Sequence, residues 1–260
     1  NALIAIKQNS SENAIITSWW DFGHHFKYIA DRPVTFDGTT QTSANAHWVG
    51  KILLTSDEEQ AIGILRMLDC GGNSAFHALN DIIKDVHKTH KILNEVLLLS
   101  KTEAKTNLMM VYGFNNENAE KVLKLTHCNP PEAYFIASED MVGKSGVWSH
   151  FGSWNFERAD IWQNARKMPQ EEAIEYMMKK FNYTKDKAEN IYFEIQAITR
   201  DSEANAWIAP WPGYGGTARC SKDENGIYVC GNGFQVNLSN YDALGIGQQG
   251  IVRPKSVAFT

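Results

Sequence analysis

The chain lacks any apolar run approaching the roughly 18 residues that a membrane-spanning helix needs. It lacks a basic excess too: 25 Lys and Arg against 30 Asp and Glu leave a net charge of −5, which excludes the cationic face of an electrostatic nucleic-acid binder. Four cysteines in 260 residues are too few for a disulfide framework. There is no HExxH, no GxSxG and no glycine loop opening a helix. Zinc-protease, serine-hydrolase and phosphate-cradling chemistries therefore have no foothold. Gly213-Tyr214-Gly215-Gly216 is a glycine cluster in β-like surroundings, and the adjacent His24-His25 lack the spacing of helical metal ligands. Repeats and low-complexity tracts are absent. The opening Asn1-Ala2-Leu3-Ile4 has neither Met nor a basic leader, and the stop at Val257-Ala258-Phe259-Thr260 is abrupt, so both ends read as cuts in a longer protein.

What is present centres on Ser18-Trp19-Trp20-Asp21-Phe22-Gly23, which closes the apolar run Ala14-Ile15-Ile16-Thr17, a short buried strand by its pattern. An indole N–H only donates and an ionised carboxylate only accepts, so Trp19, Trp20 and Asp21 together can satisfy a hydroxyl, which does both. Gly23 would let the backbone turn so that these groups converge. A tryptophan pair beside a strand more often packs in a core than binds, and that reading stands beside the pocket.

Along the chain, Ala2 to Lys7 reads as the tail of a helix and Pro33 to Phe36 as a short strand ended by Asp37-Gly38. Ala44 to Leu54 has helical spacing, and Ser56-Asp57-Glu58-Glu59 resembles a capping box opening a helix through Leu68. A helical insertion is expected over about 72–129, with Ala75–His87 and Lys91–Leu99 as one pair, Thr102–Met110 and Glu117–His127 as another, and a polar turn at Asn115-Asn116-Glu117-Asn118. Ala133 to Ala137 reads as a second buried strand. Ser138-Glu139-Asp140 caps a helix on which Met141, Lys144 and Trp148, at i, i+3 and i+7, share one face. Helices follow over Arg158–Arg166 and Glu171–Phe181 and from Thr184, with Asn190–Thr199 either its continuation or a strand.

The expected fold is mixed α/β: a central sheet flanked by helices in a domain over 1–200, then a smaller β-rich segment over 201–260. Cys220 and Cys230 flank a hairpin turning near Asn225-Gly226. A three-residue loop, Glu224 to Gly226, would set the two cysteines opposite each other, and a register one residue different would part them. Cys70 and Cys128 read as free, small core residues.

Trp19-Trp20-Asp21-Phe22-Gly23 resembles the WWDxG signature of the catalytic subunit of oligosaccharyltransferase, the enzyme of asparagine-linked glycosylation. Ala30-Asp31-Arg32-Pro33-Val34-Thr35-Phe36-Asp37-Gly38 is similar to archaeal members. The family's second motif follows a strand in forms such as DxxKxxxM/I or MxxIxxx(I/V/W). Here it is MxxKxxxW, with Asp140 one residue too early for the aspartate of the DxxK form. The resemblance implies the extracytoplasmic part of an integral membrane glycosyltransferase that moves a lipid-linked oligosaccharide onto asparagine. Trp19, Trp20 and Asp21 would hold the Ser or Thr hydroxyl of an Asn-x-Ser/Thr acceptor polypeptide. Met141, Lys144 and Trp148 would complete the pocket, and Phe22 and Gly23 would support it. It further implies that catalytic acids and the ligands of a divalent metal, Mg or Mn, lie in the membrane portion, so this part alone is inactive. Two other classes remain open. One is a non-catalytic extracytoplasmic module whose Trp154, Trp207 and Trp211 stack on carbohydrate or protein. The other is a self-contained α/β enzyme, against which the missing nucleophile, base and phosphate loop weigh.

Overall fold

Ile15–Thr17 (β1) and Ala133–Phe135 (β2) lie side by side as a parallel pair, with Ile16 opposite Tyr134. This computed structural model describes every residue except 1, 42, 212–218, 232, 238, 240–241, 248–249 and 253–260. β1 is the buried strand the apolar run predicts, whereas β2 exposes Ala133 and Phe135 and is buried on neither side. The strand expected over Pro33–Phe36 is reduced to one parallel bridge from Val34 to Ile16. Pro33 has no N–H to extend a ladder, and Phe36 leaves the sheet to pack edge-on against Trp19 at 5.3 Å.

The connection from β1 to β2 is almost wholly helical. Gly23–Ala30 (α1) leaves the motif; Asn45–Leu54 (α2) and Glu58–Gly71 (α3) follow. Ser74–Ile83 (α4), Val86–Leu97 (α5), Lys101–Met110 (α6) and Asn116–Thr126 (α7) complete the block. Local chemistry explains most boundaries. Asp57, rather than Ser56, caps α3 by accepting from Gln60 N at 3.2 Å, and Asn115 caps α7 through Asn118 N at 2.8 Å. His87 does not belong to the first helix of its pair. Lys84 turns left-handed at φ 55 and Asp85 caps α5 through Lys88 N, so the break falls before Val86.

These helices are not a separate layer over the sheet. Trp19, Phe36, Trp48, Ile64, Met67, Leu93, Val96, Leu123 and Met141 share one buried cluster. The expectation of free Cys70 and Cys128 is overturned: they form a disulfide joining the end of α3 to the chain just after α7. The bridge needs two helix ends brought together in space, and no sequence pattern encodes that.

After β2 come Asp140–Gly143 (α8), Ser145–Gly152 (α9), Phe156–Asn164 (α10), Gln170–Phe181 (α11) and Lys185–Ala197 (α12). Thr184 caps α12, which runs through the region left open between helix and strand. The change of texture expected at Asp201 comes later, because Asp201–Ile208 (α13) is helical. Helices α10 to α12 close a second core around Ile161, Met177 and Ile195. The strands then run antiparallel as a meander: Cys220–Lys222 (β3), Ile227–Cys230 (β4), Gln235–Asn237 (β5), Asp242–Gly247 (β6) and Gly250–Val252 (β7). The hairpin between β3 and β4 has the three-residue register, with Cys220 opposite Cys230 and the two disulfide-bonded. Gly226 supplies the positive φ of 81 that this loop requires. The cluster Gly213 to Gly216 lies outside the described residues. The fold is thus mixed α/β and mostly helical, and no described helix is long and apolar enough to cross a membrane.

Candidate functional site

The carboxyl end of β1 is tied to that of β2 before the motif begins. Ser18 Oγ donates to Ile136 O at 2.7 Å, and Thr17 and Thr35 share a hydroxyl hydrogen bond of 2.7 Å. Trp19 then stays extended, and Trp20–Phe22 form one 3-10 turn that runs directly into α1. The turn sends the three motif side chains different ways. Trp19 is 2% exposed, inside the core against Phe36. Trp20 is half-buried against the same cluster, and Phe22 is exposed.

Gly23 does not make the sharp turn read from the sequence. Its φ of −54 and ψ of −42 are ordinary right-handed helix. Its role is close approach: a Cβ there would lie 2.5 Å from Asp37 Cβ and 2.6 Å from Phe36 O. The packed partner is itself built tightly. Asp37 is 2% exposed and accepts from Thr39 N at 2.9 Å, from the Thr39 hydroxyl at 2.6 Å and from Lys27. Burial opposes its charge, yet Lys27 and the Thr39 donors outweigh it and hold the carboxyl well below the usual range. The loop after Phe36 is thereby clamped to the start of α1, and with it the position of the motif turn.

Asp21 is the half-buried carboxylate at the centre. Its Oδ1 lies 2.8 Å from Lys144 Nζ, while its Oδ2 is buried with no hydrogen-bond partner among the described residues. Lys144 also reaches Asp140 Oδ2 at 2.7 Å, and the Ser138 hydroxyl donates to the other oxygen of Asp140. The Lys144 hydrogen bond, then the Ser138 one, lowers the Asp140 pKa. Asp140 first, and Asp21 second, raise that of Lys144. The ammonium also sits 5.5 Å from the centre of the Phe22 ring.

Met141, Lys144 and Trp148 do not share one continuous helix. α8 ends at Gly143, Lys144 is the joint at φ −100 and ψ 5, and α9 starts at Ser145. Gly143 and Gly146 weaken helix propagation there, which is the local reason for the break. The three residues still converge, because Met141 O accepts from the Trp148 indole at 2.8 Å and from Lys144 N at 3.1 Å. Met141 is buried at 5% exposure and that indole N–H is used internally. The structure thus brings Asp21, Phe22, Lys144 and Asp140 together, with Trp20 beside the core, and encloses Trp19 and Met141. Sequence reading passed over Asp140 and Ser138 as parts of the site. The i, i+4 spacing of Asp140 and Lys144 was the available signal.

Asp21 and Asp140 do not fit a metal. Their charges face an ammonium of the chain itself, and no three metal-capable side chains converge among the described residues. Elsewhere, Trp207 donates to Glu194 at 3.0 Å, and Trp211 stacks on His150 at 3.8 Å.

The STT3/PglB/AglB core domain model matches residues 12–158, a span that includes both motifs and the helical block between the strands. The chain is similar to the dolichyl-phosphooligosaccharide-protein glycotransferase of Methanocaldococcus jannaschii, 44% identical over 58% of this chain and 17% of the relative. It is also similar to the protein of that name from Methanococcus voltae, 37% identical with the same coverage of both. Among solved structures, the Campylobacter jejuni pglb C-terminal domain aligns over 93% of this chain and 64% of its own, at 14% identity and a TM-score of 0.35. The chain spans less than a fifth of the length of these curated relatives. Two motifs at the ends of a parallel strand pair, and a family match across more than half the residues, make the chain a member of the STT3/PglB/AglB core-domain family.

Proposed function

We propose that this chain is the acceptor-recognition part of a membrane oligosaccharyltransferase, and that its Trp-Trp-Asp turn holds the hydroxyl of Ser or Thr in an Asn-x-Ser/Thr acceptor. The observation that carries the reading is the split state of the Asp21 carboxylate. One oxygen is anchored by Lys144, and the other is a buried acceptor with no partner among the described residues. A buried, unpaired carboxylate oxygen costs free energy until a donor reaches it. A guest hydroxyl that displaces what covers this oxygen supplies that donor.

Such a site favours hydroxyl-bearing residues strongly, because an acceptor without the hydroxyl leaves Asp21 Oδ2 unpaired; sites of this kind discriminate by roughly 10⁴–10⁵. Chemistry and donor belong to the rest of the longer protein. There a lipid-linked oligosaccharide would be bound, and a divalent metal, Mg or Mn, would be held by residues outside this chain. The part described here would then be inactive alone. Two disulfides support placement on an oxidising, extracytoplasmic side of the membrane.

The test is Asp21→Ala in the full-length enzyme with an Asn-x-Thr peptide. Loss of one charge-assisted hydrogen bond, about 1.5–3 kcal/mol, is expected to weaken acceptor use by about 10- to 100-fold while the fold persists. Unchanged transfer would overturn the assignment.

A further inference from the structure

Between α2, α5 and the turn from α9 into α10 lies a cleft of about 550 Å³ that shares no residue with the Asp21–Lys144 cluster. On its wall His47 and His90 meet Nε2 to Nε2 at 2.9 Å, and the Phe151 carbonyl accepts from His47 Nδ1 at 2.9 Å. Burial disfavours the charged form of both rings, and a neutral His47 with its proton on Nδ1 accepts at Nε2 from His90. His90 stacks on Phe156 at 3.9 Å, and Trp154 lines the same space.

Lys51, one turn beyond His47 on α2, is half-buried, and burial holds its ammonium below the usual lysine range. It donates to Asn94 Oδ1, and among the described residues no carboxylate lies within ion-pair distance of it. The two carboxylates of the cleft already have donors: the Tyr112 hydroxyl serves Glu95 and the Tyr183 hydroxyl serves Glu157. His87 Nε2 lies 3.8 Å from Glu157, beyond hydrogen-bond distance. A half-buried cation with an amide as its acceptor and no counter-ion among the described residues gains when something anionic completes it. Lys91 places a second cation at the exposed rim.

We propose that this cleft binds an anionic saccharide, with its carboxylate or phosphate on Lys51 and its ring along the Trp154–Phe156 wall. The anion gives Lys51 the partner that the described residues do not supply, and it accepts charge-assisted hydrogen bonds from the unused ammonium protons. Aromatic faces suit the apolar side of a sugar ring. Glu95, Glu157 and Asn155 are placed to exchange hydrogen bonds with its hydroxyls.

The 260-residue chain is titrated with glucuronic acid, glucose 1-phosphate and glucose by calorimetry, while the ring-proton NMR signals of His47 and His90 are followed. At least one of the two anionic sugars is expected to bind tenfold or more tightly than glucose and to move both histidine signals; which one does so identifies the anionic group. Lys51→Met should abolish that preference. Asn94→Asp, which hands Lys51 an internal counter-ion, should do the same and guards against a folding defect in the first variant. Equal binding of all three sugars, no binding, or a preference that survives both substitutions would overturn the proposal. So would acetate or inorganic phosphate binding as tightly as the matching sugar.

Discussion

The Lys144 ammonium lies 2.8 Å from Asp21 Oδ1, so a helix joint that follows β2 grips the motif that follows β1. The contact joins the two ends of the matched segment and leaves Asp21 Oδ2 as the free acceptor. It is also shared with Asp140 at 2.7 Å, which fixes the ammonium from its other side.

Lys144→Met is therefore expected to act on acceptor binding more than on folding. The pair is partly solvent-exposed, and exposed ion pairs contribute about 0–1 kcal/mol to stability. Losing the anchor frees Asp21 to rotate, so peptide Kd in the full-length protein should rise roughly tenfold, at a cost of about 1.4 kcal/mol. A change in melting temperature with no change in Kd would contradict this.

Gly23→Ala should destabilise the fold by about 1–3 kcal/mol, because the new methyl meets the backbone and Cβ of Asp37. Gly143→Ala is the control: nothing lies within 4 Å of its Cβ. It sits in helix, so the change should be neutral or stabilising by up to about 1 kcal/mol. Urea unfolding of both variants distinguishes close packing from simple glycine flexibility, which would make the two behave alike.

Reduction of Cys70–Cys128 should cost roughly 4 kcal/mol, since its loop of 58 residues restrains the unfolded chain strongly. The Cys220–Cys230 bridge closes only a hairpin and should contribute less. Thermal unfolding of Cys70→Ser/Cys128→Ser and Cys220→Ser/Cys230→Ser double variants checks the order. A smaller loss from the first pair would show that the long loop is already restrained by residual structure.

Acid should weaken the fold through His47 and His90. Burial lowers the first to about 4 and the second to about 2, from an ordinary value of 6.5. Each binds fewer protons folded than unfolded, so its contribution is complete above about 6.5 and is lost as pH falls toward 4. Asp69 works in the opposite direction. Burial raises its carboxyl to about 6, so its charge opposes folding at neutral pH and that opposition fades on acidification. The urea midpoint should fall between pH 7 and 5, and fall further in Asp69→Asn. A flat profile in that variant would show that the histidine pair is not held neutral.

The features legible in the sequence are those whose causes lie within a few residues. Asn115 and Thr184 cap helices because their side chains reach amides three residues on. Glu224 to Gly226 turns as expected because only a glycine at that place relieves the positive φ, and register then pairs Cys220 with Cys230. The break at Lys144 was missed because Met, Lys and Trp at helical spacing look alike whether the helix is continuous or not; Gly143 and Gly146 were the overlooked clue. The second strand is expected to be buried, and its end residues are exposed because they share the face the core does not cover, while Tyr134 on the other face packs against Ile6, Ile16 and Phe26.

By itself, then, the sequence determined the caps, the hairpin, the buried first strand and the position of the Trp-Trp-Asp turn, all set by short-range hydrogen bonding and backbone sterics. Only the tertiary structure decided that Trp19 is core, that Cys70 meets Cys128, that Gly23 is needed for a close contact and that Lys144 holds one oxygen of Asp21 while the other stays unpaired. Those outcomes depend on where distant helices cross and which side chains their packing encloses, and no short stretch of chain carries that information.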